Sequence, residues 1–102
     1  MLYVWLMNQF FESLGQDWVD AAKRRGVAIA KPALDSQIAL ELLELARVAA
    51  HTQERRFAPL TSFLAGVAAE RLRAAKPEID DATLAEFILE VRQKLEREVP
   101  GL

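Results

Sequence analysis

Cysteine is absent from this sequence of 102 residues, and histidine occurs only once. Without thiols the chain has no disulfide, no nucleophilic cysteine and no zinc-cysteine site. One histidine is also too few for the paired Glu-x-x-His motifs of a di-iron helical bundle. No glycine-rich phosphate loop or nucleophile elbow is present. We therefore predict no metal, no cofactor and no catalytic residue.

A surplus of basic residues and a long apolar run are missing as well. Thirteen Lys and Arg against fifteen Asp and Glu leave a net charge of −2, whereas a nucleic-acid binder needs a basic stripe. No apolar run approaches the ~20 residues that cross a bilayer, and the apolar start lacks the basic flank of a signal peptide. We predict a soluble cytoplasmic protein with no nucleic-acid or membrane partner.

What the sequence does contain is helical periodicity. Apolar residues make up 52% of the chain, and they recur at three- and four-residue spacing. The pattern predicts an all-α fold, a single-domain bundle over residues 1–102 with four main helices plus one short helix. Gly15 is expected to end the first helix at residue 14, and Asp17 to begin the short one, which Gly26 ends as a left-handed cap. Residues 27–34 are predicted to form an extended connection.

The other three helices have recognisable start signals. Asp35 or Ser36 is expected to cap the third helix, Pro59 to begin the fourth, and Asp80 or Asp81 to cap the fifth. Gly66 stands among alanines and is expected to face another helix. The predicted inner faces consist of Ile38, Leu42, Leu45 and Ala49; of Leu60, Phe63, Leu64, Val67, Ala68 and Leu72; and of Leu84, Phe87, Ile88, Val91 and Leu95.

An anion site is predicted at the corner before the fourth helix. If Pro59 takes the first helical position, the next three amides stay free at the positive end of the helix dipole. Arginine, hydroxyl and imidazole groups nearby could complete such a site. The residues of this hypothesis are His51, Arg55, Arg56, Thr61 and Ser62. In the purely structural alternative, His51 satisfies terminal carbonyls at the end of the third helix, and the arginines pair with glutamates on neighbouring helices.

Aromatic residues are concentrated in the first helix, which is apolar nearly all round. Such a helix is either central to the bundle or meets a partner, and a groove for an amphipathic peptide is a third alternative. The second reading predicts a homodimer, with Tyr3, Trp5 and Phe11 on the interaction surface.

The residues from 45 to 69 also resemble a known family. Its signature is typically LAR..AH...R..APLTTFL.G.AA, and it belongs to a small bacterial helical domain of unknown function. The resemblance rests on Leu45-Ala46-Arg47, Ala50-His51, Arg55, Ala58-Pro59-Leu60-Thr61, Phe63-Leu64, Gly66 and Ala68-Ala69. Trp5-Leu6 and Leu14-Gly15 resemble the opening helix of the same domain. That domain occurs alone or joined to nucleotidyltransferases similar to the molybdenum-cofactor guanylyltransferase. The resemblance therefore implies an accessory role in molybdenum-cofactor maturation, with a nucleotidyltransferase or another molybdoenzyme-maturation protein as partner.

Three functions follow from these observations. The first is a non-catalytic accessory or protein-interaction module. The second is a binder of a small anionic ligand, such as phosphate or a nucleotide, at the helix start after Pro59. The third is an enzyme that uses His51 as acid or base, and it is the weakest because no second titratable partner stands near His51 in the sequence.

Overall fold

Every regular element in the described part of the chain is an α-helix. The computed structural model describes residues 2–98, with side chains from residue 6 onward. The helices are α1 (Leu2–Arg24), α2 (Ser36–Thr52), α3 (Phe57–Ala75) and α4 (Asp81–Arg97). The predicted all-α fold is confirmed, but the additional short helix does not occur within residues 2–98.

Gly15 lies inside α1, so the prediction that it ends the first helix is wrong. A glycine in a helix interior costs only about 1 kcal/mol relative to alanine, which good helix formers on both sides outweigh. Gly15 is instead a point of close approach. A Cβ atom there would lie 2.7 Å from the carbonyl oxygen of Pro32, in the connection that returns along α1. Lys31 of the same connection forms an ion pair with Glu12.

Gly26 is a left-handed cap as predicted, although the helix that it ends is α1 and not a separate short helix. Its φ of +76° is the left-handed conformation that favours glycine. The amide of Val27 donates to the carbonyl of Ala22 at 3.0 Å, and the amide of Gly26 donates to the carbonyl of Lys23 at 2.9 Å. These two bonds make a Schellman motif, which satisfies the last carbonyls of the helix.

The chain divides into two compact units, Met1–Leu34 and Asp35–Leu102. The first contains α1 and its returning connection, and the second contains the other three helices. In the second unit α2 is central, because α3 and α4 both pack against α2 and touch each other only slightly. The buried apolar residues of the described chain all belong to this unit: Leu45, Val48, Ala49, Ala69, Leu84, Ala85 and Ile88.

Two aspartates cap helices of the second unit, as the sequence indicated. The carboxylate of Asp35 accepts from the amides of Gln37 and Ile38 at 2.9 and 3.1 Å, and Asp80 accepts from the amide of Thr83 at 2.9 Å. Hydrogen bonds from the side chain and the amide of Thr83 hold the pKa of Asp80 below its ordinary value. This cap therefore stabilises the fold at neutral pH, and its contribution is lost as the pH falls through the lowered pKa.

A half-buried ion pair joins α4 to α2. Arg92 donates through Nε to Oε1 of Glu41 at 3.1 Å, and through Nη1 to Oε1 of Glu96 at 2.5 Å. Burial acts to lower the pKa of Arg92, but the bonds and charges of both glutamates outweigh it and leave that pKa raised. Arg92 therefore stays charged and orients α4 on α2.

The inner face of α3 differs from the predicted one. Leu60, Phe63, Leu64 and Gly66 were expected inside, and all four are exposed. Only Ala69 of this helix is buried among the described residues. The apolar stripe of α3 is wider than the single contact it makes with α2, so periodicity alone could not indicate which part is buried. Val91 of α4 was also predicted inside, and it is exposed.

The two helical glycines should respond oppositely to alanine. Nothing lies within 4 Å of a Cβ built on Gly66, so Gly66→Ala should raise the free energy of unfolding by roughly 0.5–1 kcal/mol through helix propensity. Gly15→Ala should lower it by about 1–3 kcal/mol, because the methyl group would overlap the Pro32 carbonyl. Urea unfolding followed by circular dichroism and tryptophan fluorescence measures both. Stabilisation by Gly15→Ala would show that the connection does not pack at this position.

Candidate functional site

The predicted anion corner lies between α2 and α3. His51 is exposed in the last turn of α2. Arg55 is exposed in the connection, and Arg56 occupies the N-cap position of α3 without a side-chain cap bond. The Arg56 guanidinium instead donates through Nε to the carboxylate of Glu54 at 2.5 Å. This pairing agrees with the structural alternative for Arg56.

The amides at the start of α3 are already bonded. The helix begins at Phe57, so Pro59 takes the third helical position and not the first. The amide of Phe57 donates to the Glu54 carbonyl at 2.9 Å, and that of Ala58 to the Arg55 carbonyl at 3.2 Å. The three residues after Pro59 lie in the second turn, where α-helical amides bond to carbonyls four residues earlier. The premise of three free amides is therefore wrong.

The two hydroxyl residues of the corner face different ways. Thr61 lines the space between α3 and α4. Ser62 lines a shallow depression on another face of α3, beside Phe63 and Gly66. The structure consequently does not bring the two hydroxyls together toward one ligand.

Because the three amides after Pro59 are not free, we expect phosphate to raise the melting temperature no more than chloride does at matched ionic strength. General screening by either salt acts without saturation. A titration of both salts by thermal denaturation makes the comparison. A saturable rise with phosphate that Arg55→Ala abolishes would instead show an anion site made by side chains alone.

A deep apolar cleft lies on the second unit. It runs between α3 and α4, with the buried Leu45 of α2 as its floor, and its volume is about 330 Å³. At one end Lys94 and Glu98 form an ion pair. We call this the α3/α4 cleft; it is lined by Leu45, Thr61, Leu64, Ala65, Ala68, Phe87, Ile88, Val91, Lys94, Leu95 and Glu98.

The packing of the three helices explains this cleft. Because α3 and α4 each pack on α2 and only slightly on each other, a gap stays open along their length. The side chains of Ala65 and Ala68 are small, so α3 fills little of the space beside α4. Leu64 and Val91 lie at the rim, where they are 67% and 52% exposed. The lining is apolar apart from Thr61 and the ion pair at one end, so it suits apolar side chains.

Sequence reasoning did not locate this cleft, and it used only one of the two signals that could have indicated it. Alanines near Gly66 were taken to let another helix approach, and the stripe of α3 was wide. Together they describe a helix with two apolar faces, one for α2 and one for something else.

The first unit carries a second exposed apolar surface. Phe10 and Trp18 are 60% and 56% exposed, with Leu6 and Phe11 beside them. At 100° per residue these four side chains fall within about 140° of the helix circumference. We call them the α1 stripe. Glu12, which pairs with the connection, lies on the opposite face.

The described part of α1 is therefore amphipathic and not apolar all round, which corrects the expectation from its first residues. Phe11 belongs to the stripe, and its ring contacts that of Phe10 edge to face, with centroids 5.1 Å apart. The side chains of Tyr3 and Trp5, also predicted on the interaction surface, lie outside the described residues.

Two further features of the described residues bear on function. None of the four helices has the length and hydropathy that a bilayer crossing requires. Within residues 2–98, no three acidic or histidine side chains are grouped so that they could hold a metal ion.

Comparison with known proteins gives one match. No curated protein and no solved structure matches the chain. A family model does match residues 12–100, which include all of the α3/α4 cleft and most of α1. The chain therefore belongs to the family described as Domain of unknown function (DUF6457).

Proposed function

We propose that this protein is a non-catalytic interaction module that binds an amphipathic helix in the α3/α4 cleft. The observation that carries the proposal is the gap between α3 and α4, an apolar groove with an already packed floor. Recognition of a helix in a groove uses apolar anchors at i, i+3 or i+4, and i+7, which enter such a gap side by side.

The dimensions of the cleft fit a helix. Its α4 wall runs from Phe87 to Glu98, which at 1.5 Å per residue is about 16 Å, or three helical turns. Three turns present three or four anchor side chains on one face. The rim residues Leu64 and Val91 are exposed in the structure, so a bound helix would remove their side chains from water.

An accessory role beside a nucleotidyltransferase of molybdenum-cofactor maturation, in the cytoplasm, is the biological setting we propose. Its support is the resemblance of residues 45–69 to a domain found joined to such enzymes. Four residues of that resemblance line the cleft: Leu45, Thr61, Leu64 and Ala68. In that setting the partner would supply the amphipathic helix, and the module would tether or position it.

The proposal is tested with a fluorescein-labelled synthetic helix of leucine, lysine and glutamate, with leucines on one face and no net charge. Fluorescence anisotropy with the full chain should show saturable binding. Leu64→Glu should weaken it at least tenfold, because a carboxylate at the rim would be desolvated by the bound helix.

Phe63→Glu is the matched control. Phe63 is the neighbour of Leu64, is 70% exposed and does not line the cleft, so its variant should bind the synthetic helix as the wild type does. The titration is repeated with Phe10→Glu/Trp18→Glu, which removes the α1 stripe as a competing helix. Absence of binding by the wild type and by this variant, or equal loss in both α3 variants, would overturn the proposal.

A further inference from the structure

The α1 stripe and the α3/α4 cleft are complementary surfaces on one chain. From Leu6 to Trp18 the stripe extends over about 18 Å of helix, against about 16 Å for the cleft wall, at 1.5 Å per residue. Both surfaces are apolar, and both have large side chains more than half exposed. Exposed apolar patches of this size mark interaction sites.

We infer that the helix bound in the cleft is α1 of a second copy of this chain. This inference rests on the proposed function, because it names the partner of the same cleft. In the resulting homodimer each copy places its α1 stripe in the cleft of the other. Such a contact is two-fold symmetric. It covers both α1 stripes and both clefts, so none of these four surfaces stays open to a third copy.

The exposed area is enough for a specific dimer of modest affinity. A whole aromatic side chain contributes roughly 150–250 Å², so Phe10, Phe11 and Trp18 at their observed exposures present several hundred Å². The cleft adds a smaller exposed surface, mainly at Leu64 and Val91. Counted on both copies, the sum is on the order of 1,000 Å², the lower end for a specific protein interface.

The charge of the chain also permits self-association. Its net charge is −2, which opposes the approach of two copies only weakly at ordinary salt. The cleft is neutral at its ionic end, since Lys94 and Glu98 pair with each other. Asp17 is the one charged residue between Leu6 and Trp18 that falls within the arc of the α1 stripe, and it is exposed. Its carboxylate therefore has to stay at the solvated edge of the contact or meet a positive partner.

Light scattering on the full chain gives the first test. The wild type should have a mass of about 23 kDa, twice the 11.5 kDa of one chain. Leu64→Glu and Phe10→Glu/Trp18→Glu should each shift the dissociation constant at least tenfold toward monomer. Phe63→Glu should stay dimeric. The inference would be overturned by a wild type that is still monomeric at about 100 μM, a concentration on the order of the dissociation constant of a weak specific contact.

The absence of cysteine makes a direct cross-link unambiguous. One chain carries Phe10→Cys, and a second chain, enlarged by a tag, carries Leu64→Cys. After mixing and oxidation, the mixed disulfide should exceed by at least tenfold that formed with Gln9→Cys, a neighbour of Phe10 on the polar face of α1. Equal yields from Phe10→Cys and Gln9→Cys would contradict the inference.

The two proposals fail in different ways. If the synthetic helix binds through the cleft while the wild type is monomeric, the cleft serves another protein, and only the homodimer is overturned. If the dimer forms but Leu64→Glu leaves both it and helix binding unchanged, the cleft is not the docking surface and both proposals fall. Under the homodimer, Phe10→Glu/Trp18→Glu should also bind the synthetic helix more tightly than the wild type does.

Discussion

Leu84→Ala is expected to lower the free energy of unfolding by about 2–5 kcal/mol, the usual cost of truncating a core leucine. Leu84 is the largest side chain that the described chain buries completely, at 1% exposure. It begins the inner face of α4, one turn before Ile88, and α4 makes its main contact with α2. The cavity left by the missing methyl groups would therefore open at the main helix contact of the second unit.

This loss is large beside the total stability of a small domain, which is about 5–15 kcal/mol. At roughly 4–8 °C per kcal/mol for a chain of this size, the melting temperature should fall by about 10–40 °C. Leu43→Ala is the matched control, since Leu43 of α2 is 68% exposed, and it should change stability by no more than ~0.5 kcal/mol. Equal effects of the two variants would show that α4 does not bury Leu84 as described.

Arg92→Leu should cost about 1–3 kcal/mol because it leaves the carboxylate of Glu41 half-buried without its partner. The side chains of Arg92 and Glu41 are only 16% and 18% exposed. Glu41→Leu should cost less, because Arg92 keeps its hydrogen bond to Glu96. The double variant should recover most of the loss, because two apolar side chains can replace a buried ion pair without leaving an unpaired charge.

Chemical denaturation of the four chains in this double-mutant cycle measures the coupling energy. The pair of Glu44 and Arg47 is the control, since its side chains are 40% and 53% exposed and such surface pairs contribute about 0–1 kcal/mol. A coupling between Glu41 and Arg92 no larger than this control would mean that water screens the pair as fully as it does a surface pair.

Local signals in the sequence determined much of the fold. The all-helical class, the capping aspartates Asp35 and Asp80 and the glycine cap at Gly26 could all be predicted. Each depends on a few neighbouring residues, because caps and helical periodicity act within one or two turns. The floor of the candidate site was predictable for the same reason, since Leu45 falls on a narrow, clear stripe.

Tertiary contacts decided most of the rest. Gly15 continues α1, and the carbonyl that approaches it belongs to Pro32, seventeen residues away in sequence. That contact has no signal in the local pattern. Pro59 was misplaced for a local reason: turn bonds to the Glu54 and Arg55 carbonyls start α3 two residues earlier, and proline is tolerated in the first helical turn.

The candidate site shows the same division between local pattern and tertiary structure. The sequence alone determined that Leu60, Phe63 and Leu64 form an apolar face of a helix. Only tertiary structure decided that this face is exposed, because α3 and α4 pack on α2 with a gap between them. The same packing places Leu64 at the border of the cleft and leaves its neighbour Phe63 outside it. The physical reason is that periodicity specifies which residues share a face, whereas burial of that face requires another helix to cover it.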